Sequence, residues 1–81
     1  MFLEVYAVNL NNYSKDTEIS KAAENRRLIE MTGVRLRSSD KFEDRAEVIL
    51  PNGEILLAAG SYEDLVERLM TAAQSNQVAR I

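Results

Sequence analysis

Residues 46–69 read AEVILPNGEILLAAGSYEDLVERL, and this stretch decides the fold. Two runs of aliphatic residues flank the turn-forming tripeptide Pro51-Asn52-Gly53. In a two-residue Asn-Gly loop, Pro51 would occupy a paired strand position and remove a backbone hydrogen-bond donor. In a three-residue loop, Pro51 takes the second position of a type I turn and Gly53 takes the left-handed bulge position. We therefore predict a β-hairpin with a three-residue loop.

The loop length also fixes which side chains of the hairpin share a face, because side chains alternate along a strand. The three-residue loop places Glu47 opposite Leu57 and Ile49 opposite Ile55. The first face of the hairpin then carries Ala46, Val48, Leu50, Leu56 and Ala58. The second face carries Ile49, Ile55, Leu57 and Ala59, with Arg45 and Glu47 at its edge. The first face is sufficient to seat a helix, whereas the second face needs a cover of its own.

Two covers for the second face remain open, another part of this chain or another protein. Burial of one large aliphatic side chain contributes about 1.5–3 kcal/mol, so leaving the face in water is costly for a small domain. We therefore treat Ile49, Ile55 and Leu57 as candidate protein-interface residues. Phe42 is a fourth candidate, because it lies in an otherwise charged loop. It either packs against the edge of the core or anchors a partner.

A helix is predicted directly after the hairpin, over residues 62–74. Ser61 is the predicted N-cap, and Asp64 follows three residues later in a capping-box arrangement. Residues 46–69 resemble the hairpin-then-helix ending of small FlbD-like bacterial proteins. The resemblance covers less than a third of the chain, and we transfer no functional residue from it. The apolar stripe of this helix, predicted to face the sheet, consists of Tyr62, Leu65, Val66, Leu69 and Ala73.

The part of the chain before the hairpin is predicted to add two strands and a helix. Residues 2–10 are apolar on both faces, which indicates a central or doubly covered strand. Residues 20–32 have helical composition and end before Gly33, which favours a helix there. A strand that begins near Leu28 and bulges at Gly33 is the alternative. Residues 33–37 alternate between apolar and basic side chains, so they predict a strand with Arg35 and Arg37 facing solvent.

Together these elements predict a small α+β fold in one domain over residues 1–74. The predicted order is strand, helix, three antiparallel strands and helix, with both helices packed on one sheet face. Residues 75–81 are predicted to be a frayed tail.

Composition limits the chemistry of the chain. Its 81 residues include no Cys and no His, and the formal net charge is −3. The usual general base near neutral pH and the thiolate nucleophile are therefore missing, so we expect no catalysis, no cofactor and no metal site. We also see no targeting segment and no run of about 18 apolar residues. These features predict a cytoplasmic protein.

Basic residues cluster in the middle of the chain, where residues 21–45 hold seven of the ten cations. Arg35 and Arg37 are predicted to project from one strand, and Arg26 and Arg27 precede them. If those faces meet, the four guanidinium groups line a stripe that binds phosphates. A solvated face with ordinary salt bridges is the alternative.

The sequence thus predicts a non-catalytic protein-interaction or regulatory module. We expect it to act as a homodimer or docked on a larger protein. A nucleic-acid-binding module that uses Arg26, Arg27, Arg35 and Arg37 is the alternative.

Overall fold

The computed structural model describes residues 1–12, 23–75 and 79–80, and it shows a small α+β fold. The strands are β1 (Phe2–Asn9), β2 (Arg26–Glu30), β3 (Arg35–Ser38), β4 (Ala46–Ile49), β5 (Ile55–Ala58) and β6 (Ala79–Arg80), and the helix is α1 (Tyr62–Ser75). Five strands form an antiparallel sheet in the order β2-β1-β5-β4-β3, and β6 pairs in parallel with β1. Short 3-10 turns lie at Leu10–Asn12 and Ala23–Asn25. In the described part of the chain, no helix is long and apolar enough to cross a membrane.

β1 is a central strand, as its two apolar faces predict. The first half of β1 pairs with β2, and the second half pairs with β5. Leu3, Val5 and Ala7 are completely buried on one face. Tyr6 and Val8, on the other face, are half-buried.

Residues 26–30 form a strand, so the predicted helix over residues 20–32 is wrong for this part. β2 pairs antiparallel with β1 and places Ile29 opposite Leu3. Helix propensities of ordinary residues differ by less than about 0.7 kcal/mol each, which tertiary contacts routinely override. Here the edge of β1 offers a backbone ladder, and Ile29 reaches the core. The alternative prediction, a strand that begins near Leu28, is closer to the structure, although β2 begins two residues earlier, at Arg26. Residues 20–22 lie outside the described residues.

A tight turn links β2 to β3. The Val34 amide donates a hydrogen bond to the Met31 carbonyl (3.1 Å), and Gly33 has a φ of +74°. In β3, Arg35 is exposed while Leu36 packs against the core, which confirms the predicted alternation.

The hairpin has the predicted three-residue loop and register. The Gly53 amide donates to the Leu50 carbonyl (2.9 Å), and the Leu50 amide donates to the Glu54 carbonyl (2.8 Å). Gly53 has a φ of +91°, the left-handed conformation expected at the bulge position. Asn52 Oδ1 accepts a hydrogen bond from the Glu54 amide (2.9 Å), so the turn binds the donor that the bulge leaves unpaired. The pairing of Glu47 with Leu57 is also as predicted.

α1 packs on one face of the sheet, which we call the helix face. The Asp64 amide donates to Ser61 Oγ (3.2 Å), so the predicted N-cap is confirmed. Leu65 is completely buried, and Leu69 packs against the same cluster. The prediction of two helices on this face is not met, because α1 is the one α-helix among the described residues. The sheet contributes to the core Leu3, Val5, Ala7, Ile29, Ala46, Val48, Leu56 and Ala58.

Part of the predicted frayed tail is paired. Ala79 lies opposite Leu3, and Arg80 lies opposite Glu4. The ladder between β1 and β5 begins at Ala7, so the first part of β1 pairs with this parallel strand at its second edge. β6 therefore extends the sheet at this edge of β1. Residues 76–78 and 81 lie outside the described part of the chain.

Candidate functional site

The face of the sheet opposite α1, which we call the outer face, contains the second hairpin face. At its centre Leu57 is 0% exposed and Glu47 is 3% exposed. Leu57 already lies buried within a single chain, so it offers no surface to a partner, and we remove it from the candidate interface. Ile49 and Ile55 are half-buried and keep part of their surface accessible.

Glu47 is the one buried charged residue of the described chain. Arg37 Nε donates to its carboxylate at 2.6 Å, and Ser39 Oγ donates to its other oxygen at 2.9 Å. A carboxylate buried to this degree is stable only when it is paired and hydrogen-bonded. Arg37 lies opposite Glu47 in the β3–β4 register, which a sequence-based pairing of these strands would have revealed. Arg37 is therefore a structural partner of Glu47 rather than a free cation.

The four candidate arginines do not form one stripe. Arg26 and Arg27 are successive residues of a strand, so their side chains leave opposite faces of β2. Arg26 forms an ion pair with Glu4 (3.0 Å), and Arg27 Nε donates to the Ala7 carbonyl (3.1 Å). β2 and β3 are also the two outermost strands of the sheet order. Within the described residues, Arg35 is the one member of the four without a hydrogen bond or ion pair.

Phe42 lies in an ordered loop between β3 and β4. Ser39 Oγ accepts hydrogen bonds from the Lys41 amide (3.3 Å) and the Phe42 amide (3.2 Å). Asp44 closes the loop with a φ of 58°, a left-handed conformation that Asp adopts more readily than most residues. Phe42 is half-buried, so part of its ring surface faces solvent.

The outer side of α1 carries an apolar stripe of Tyr62, Val66 and Met70, and the sequence pattern assigned the first two of these residues to the stripe that faces the sheet. Tyr62 is 37% exposed, Met70 is 60% exposed and Val66, between them, is half-buried. These three residues are spaced four apart, so they lie side by side on the helix. The stripe misled the sequence reading because it adjoins the core stripe of Leu65 and Leu69, and together they form one wide apolar arc.

The stripe of Tyr62, Val66 and Met70 opens onto a groove of about 460 Å³, which we call the α1 groove. Its described lining also includes Glu63, Glu67 and Thr71. The two carboxylates border the apolar floor on one side, so the groove combines an apolar surface with negative charge. The Ala73 side chain, the fifth member of the predicted stripe, lies outside the described residues.

Two further apolar side chains are exposed on the outer face, near the end of the sheet that sequence reasoning assigned to a helix. Leu28 is 60% exposed on β2, and Phe2 is 43% exposed on β1. Alternation along β2 would have placed Leu28 on a strand face with Arg26 and Glu30, had residues 26–30 been read as a strand.

Comparisons with known proteins identify no relative, since no family model, no curated protein and no solved structure matches the chain. Turn and cap chemistry alone is sufficient to produce the resemblance of residues 46–69 to FlbD-like proteins. Among the described residues, no group of three His, Cys, Asp or Glu side chains is arranged to hold a metal ion.

Proposed function

We propose that this chain is a non-catalytic, cytoplasmic protein-interaction module that docks on a larger protein or acts as a homodimer. The α1 groove is the observation that supports this most directly. A helix on a sheet ordinarily buries one apolar face and turns polar residues to solvent. α1 buries Leu65 and then presents the exposed Tyr62 and Met70, with the half-buried Val66 between them, on a second side that lines the groove.

The charge at the border of the groove favours a basic, amphipathic segment of another protein. Glu63 and Glu67 flank the apolar floor, so a partner helix with Lys or Arg beside its apolar stripe is complementary in both respects. A second copy of α1 in the groove would place its own Glu63 and Glu67 close to Glu63 and Glu67 of the first copy, and like charges repel. The larger protein is therefore the better occupant of this groove.

The absence of His and Cys from the sequence supports a role without catalysis. The nucleic-acid alternative loses its geometric basis, because three of the four candidate arginines bind acceptors within the chain. Of those four arginines, Arg35 alone has no hydrogen bond or ion pair within the described part of the chain.

A titration with two helical peptides tests the docking surface. One peptide combines Leu with Lys, and the other combines Leu with Glu at the same positions. We expect the Lys peptide to shift the backbone amide resonances of residues 62–71 in ¹H–¹⁵N spectra, and we expect weaker binding at higher salt. We expect Met70→Asp to weaken this binding by about tenfold, which corresponds to about 1.4 kcal/mol.

Arg68→Asp is the matched control, because Arg68 is an exposed α1 residue outside the groove lining. It lowers the charge of the helix by two units, against one for Met70→Asp, so any loss of binding caused by added negative charge alone would appear in this control as well. We expect the control to leave binding intact. Equal binding of the Glu peptide, or shifts that avoid residues 62–71, would contradict the docking surface. A parallel titration with a short oligonucleotide checks the alternative, for which binding should fall steeply as salt rises.

A further inference from the structure

β2 is an edge strand whose outward backbone groups have no partner among the described residues. The Met31 amide donates to the Met1 carbonyl (3.0 Å), so these residues point their backbone groups toward the neighbouring strand. In an antiparallel ladder, every second residue of a strand exchanges these hydrogen bonds with its neighbour, so Ile29 and Arg27 also direct their backbone groups toward β1. The remaining residues direct their N–H and C=O groups away from β1, and these are Arg26, Leu28 and Glu30.

The side chains of the same three residues lie on the outer face. β2 places Leu28 opposite Glu4 and Glu30 opposite Phe2, and neither Glu4 nor Phe2 belongs to the core cluster. Leu28 is 60% exposed and is the middle residue of the strand. An exposed, unpaired edge with an apolar centre is a surface for pairing with another strand.

On the outer face, the charge pattern of β2 is antisymmetric about Leu28. The strand reads Arg26-Arg27-Leu28-Ile29-Glu30, with a cation two residues before the centre and an anion two residues after it. A two-fold axis through Leu28 in an antiparallel pair brings Arg26 opposite Glu30 of the second copy, twice. A parallel pair brings Arg26 opposite Arg26 and is unfavourable, as is any antiparallel register centred on one of the charges.

We propose that the chain forms a two-fold dimer through β2, in which Leu28 meets Leu28 and Arg26 pairs with Glu30 of the second copy. The outward amides and carbonyls of Arg26, Leu28 and Glu30 continue the ladder across the axis, so the two sheets become one. Such an isologous contact is self-complementary and closed. Charged residues on an edge ordinarily prevent strand pairing, but in this one arrangement they complement each other.

Glu30 is suited to this role because its carboxylate is held in the ionised form. The Thr32 hydroxyl and the Thr32 amide each donate a hydrogen bond to it at 2.8 Å, and these bonds lower the pKa of Glu30. The dimer rests on β2 and does not depend on the α1 groove, which lies on a different element.

Sedimentation equilibrium over a concentration series tests the dimer. The monomer has a mass of 9.1 kDa, and twice that mass, about 18 kDa, is expected for the parent chain at high concentration. We expect Leu28→Lys to return the mass to that of the monomer, because it places like charges together at the axis. Its circular dichroism should match the parent, since Leu28 is exposed. Arg35→Glu, on the opposite edge strand β3, is the control and should leave the dimer intact.

A charge exchange identifies the register. Arg26→Glu and Glu30→Arg, each alone, place two like pairs across the axis, and we expect each to weaken the dimer by about tenfold. An equimolar mixture of the two variants restores opposite charges at both pairs, so the mixture should dimerise more tightly than either variant alone. The doubly exchanged chain should also recover the dimer. The double variant still lacks the Arg26–Glu4 ion pair, so a recovered dimer cannot be explained by recovered stability of the monomer fold.

A parent chain that stays at 9.1 kDa up to millimolar concentration would overturn the proposal. So would a dimer that survives Leu28→Lys, or one that both single charge variants leave unchanged. A dimer lost in the single variants but not recovered by mixing them would also reject this register.

Discussion

The helix face and the outer face of the sheet are both closed at their centres, but different interactions close them. On the helix face, Leu65 of α1 packs against aliphatic side chains, and the buried cluster is entirely apolar. On the outer face, Leu57 lies beside Glu47, a carboxylate that needs Arg37 and Ser39 as donors. Apolar packing tolerates approximate geometry, whereas a buried carboxylate loses its stability when one donor is removed.

The two centres therefore differ in the kind of interaction that stabilises them. The helix face is stabilised in proportion to the apolar area it removes from water. The outer face includes a buried carboxylate whose partner, the Arg37 side chain, is 54% exposed. The two faces should therefore respond differently to the same kinds of substitution.

Truncation of one leucine on each face gives the largest expected effect. Leu65→Ala and Leu57→Ala should each destabilise the chain by about 2–5 kcal/mol, because both side chains are completely buried. Urea unfolding followed by circular dichroism measures both. A cost below about 1 kcal/mol for Leu57→Ala, with the expected cost for Leu65→Ala, would show that the outer face is not packed in solution.

Removal of the guanidinium from Arg37 is the next largest effect. Sequence alone predicts that Arg35 and Arg37 are equally solvent-facing, with changes below about 0.5 kcal/mol each. Because Arg37 binds the buried Glu47, we now expect Arg37→Met to cost about 1.5–3 kcal/mol. Arg35→Met, two residues away on the same strand, should stay within about 0.5 kcal/mol.

A double replacement sharpens this result. Arg37→Met combined with Glu47→Leu removes both charges, and it should recover most of the stability lost in Arg37→Met. Failure to recover would mean that Arg37 stabilises the strand through its side-chain stem rather than through Glu47.

A change at Gly53 tests the turn that assigns residues to the two faces. Gly53→Val should cost about 1–3 kcal/mol, because a β-branched residue is strained at a φ of +91°. Apart from the chain neighbours of Gly53, no atom of the described residues lies within 4 Å of an added Cβ there, so we assign the cost to backbone conformation rather than to a clash. Gly53→Asn is the control and should cost less, since Asn adopts the left-handed region more readily.

The smallest expected effect concerns Pro51. Pro51→Ala should destabilise the chain by about 0.4–1 kcal/mol, because proline restricts the unfolded chain and its φ suits this position of the turn. Unfolding midpoints in urea measure it. A more stable Pro51→Ala variant would favour the two-residue loop. A two-residue loop would shift the register by one residue, so the residues of one hairpin strand would exchange between the helix face and the outer face.

The hairpin and the start of α1 were predictable because their determinants lie within a few residues of each other. Pro51 and Gly53 select one loop length, and that loop length sets the pairing of Ile49 with Ile55. Ser61 caps the next helix through its own side chain. Of the candidate interface, Ile49 and Ile55 were placed on the correct face, but the burial of Leu57 required knowledge of the whole fold.

β2 was the opposite case. Its residues have helical composition, and nothing local separates the helix from the strand. The open edge of β1, brought there from the start of the chain, selects the strand and buries Ile29. The exposed Leu28 and the charge pattern around it become visible only once that pairing is known.

By itself, then, the sequence determined the elements whose chemistry is local: the bulged turn, its register, the capped helix and the central apolar strand. Tertiary structure alone decided the rest. It chose strand over helix for residues 26–30, joined Arg37 to Glu47, and turned Tyr62, Val66 and Met70 away from the sheet. The physical reason is the same in each instance. Backbone pairing and burial between distant segments outweigh local preferences of a few tenths of a kcal/mol per residue, and a single sequence does not state which distant segments meet.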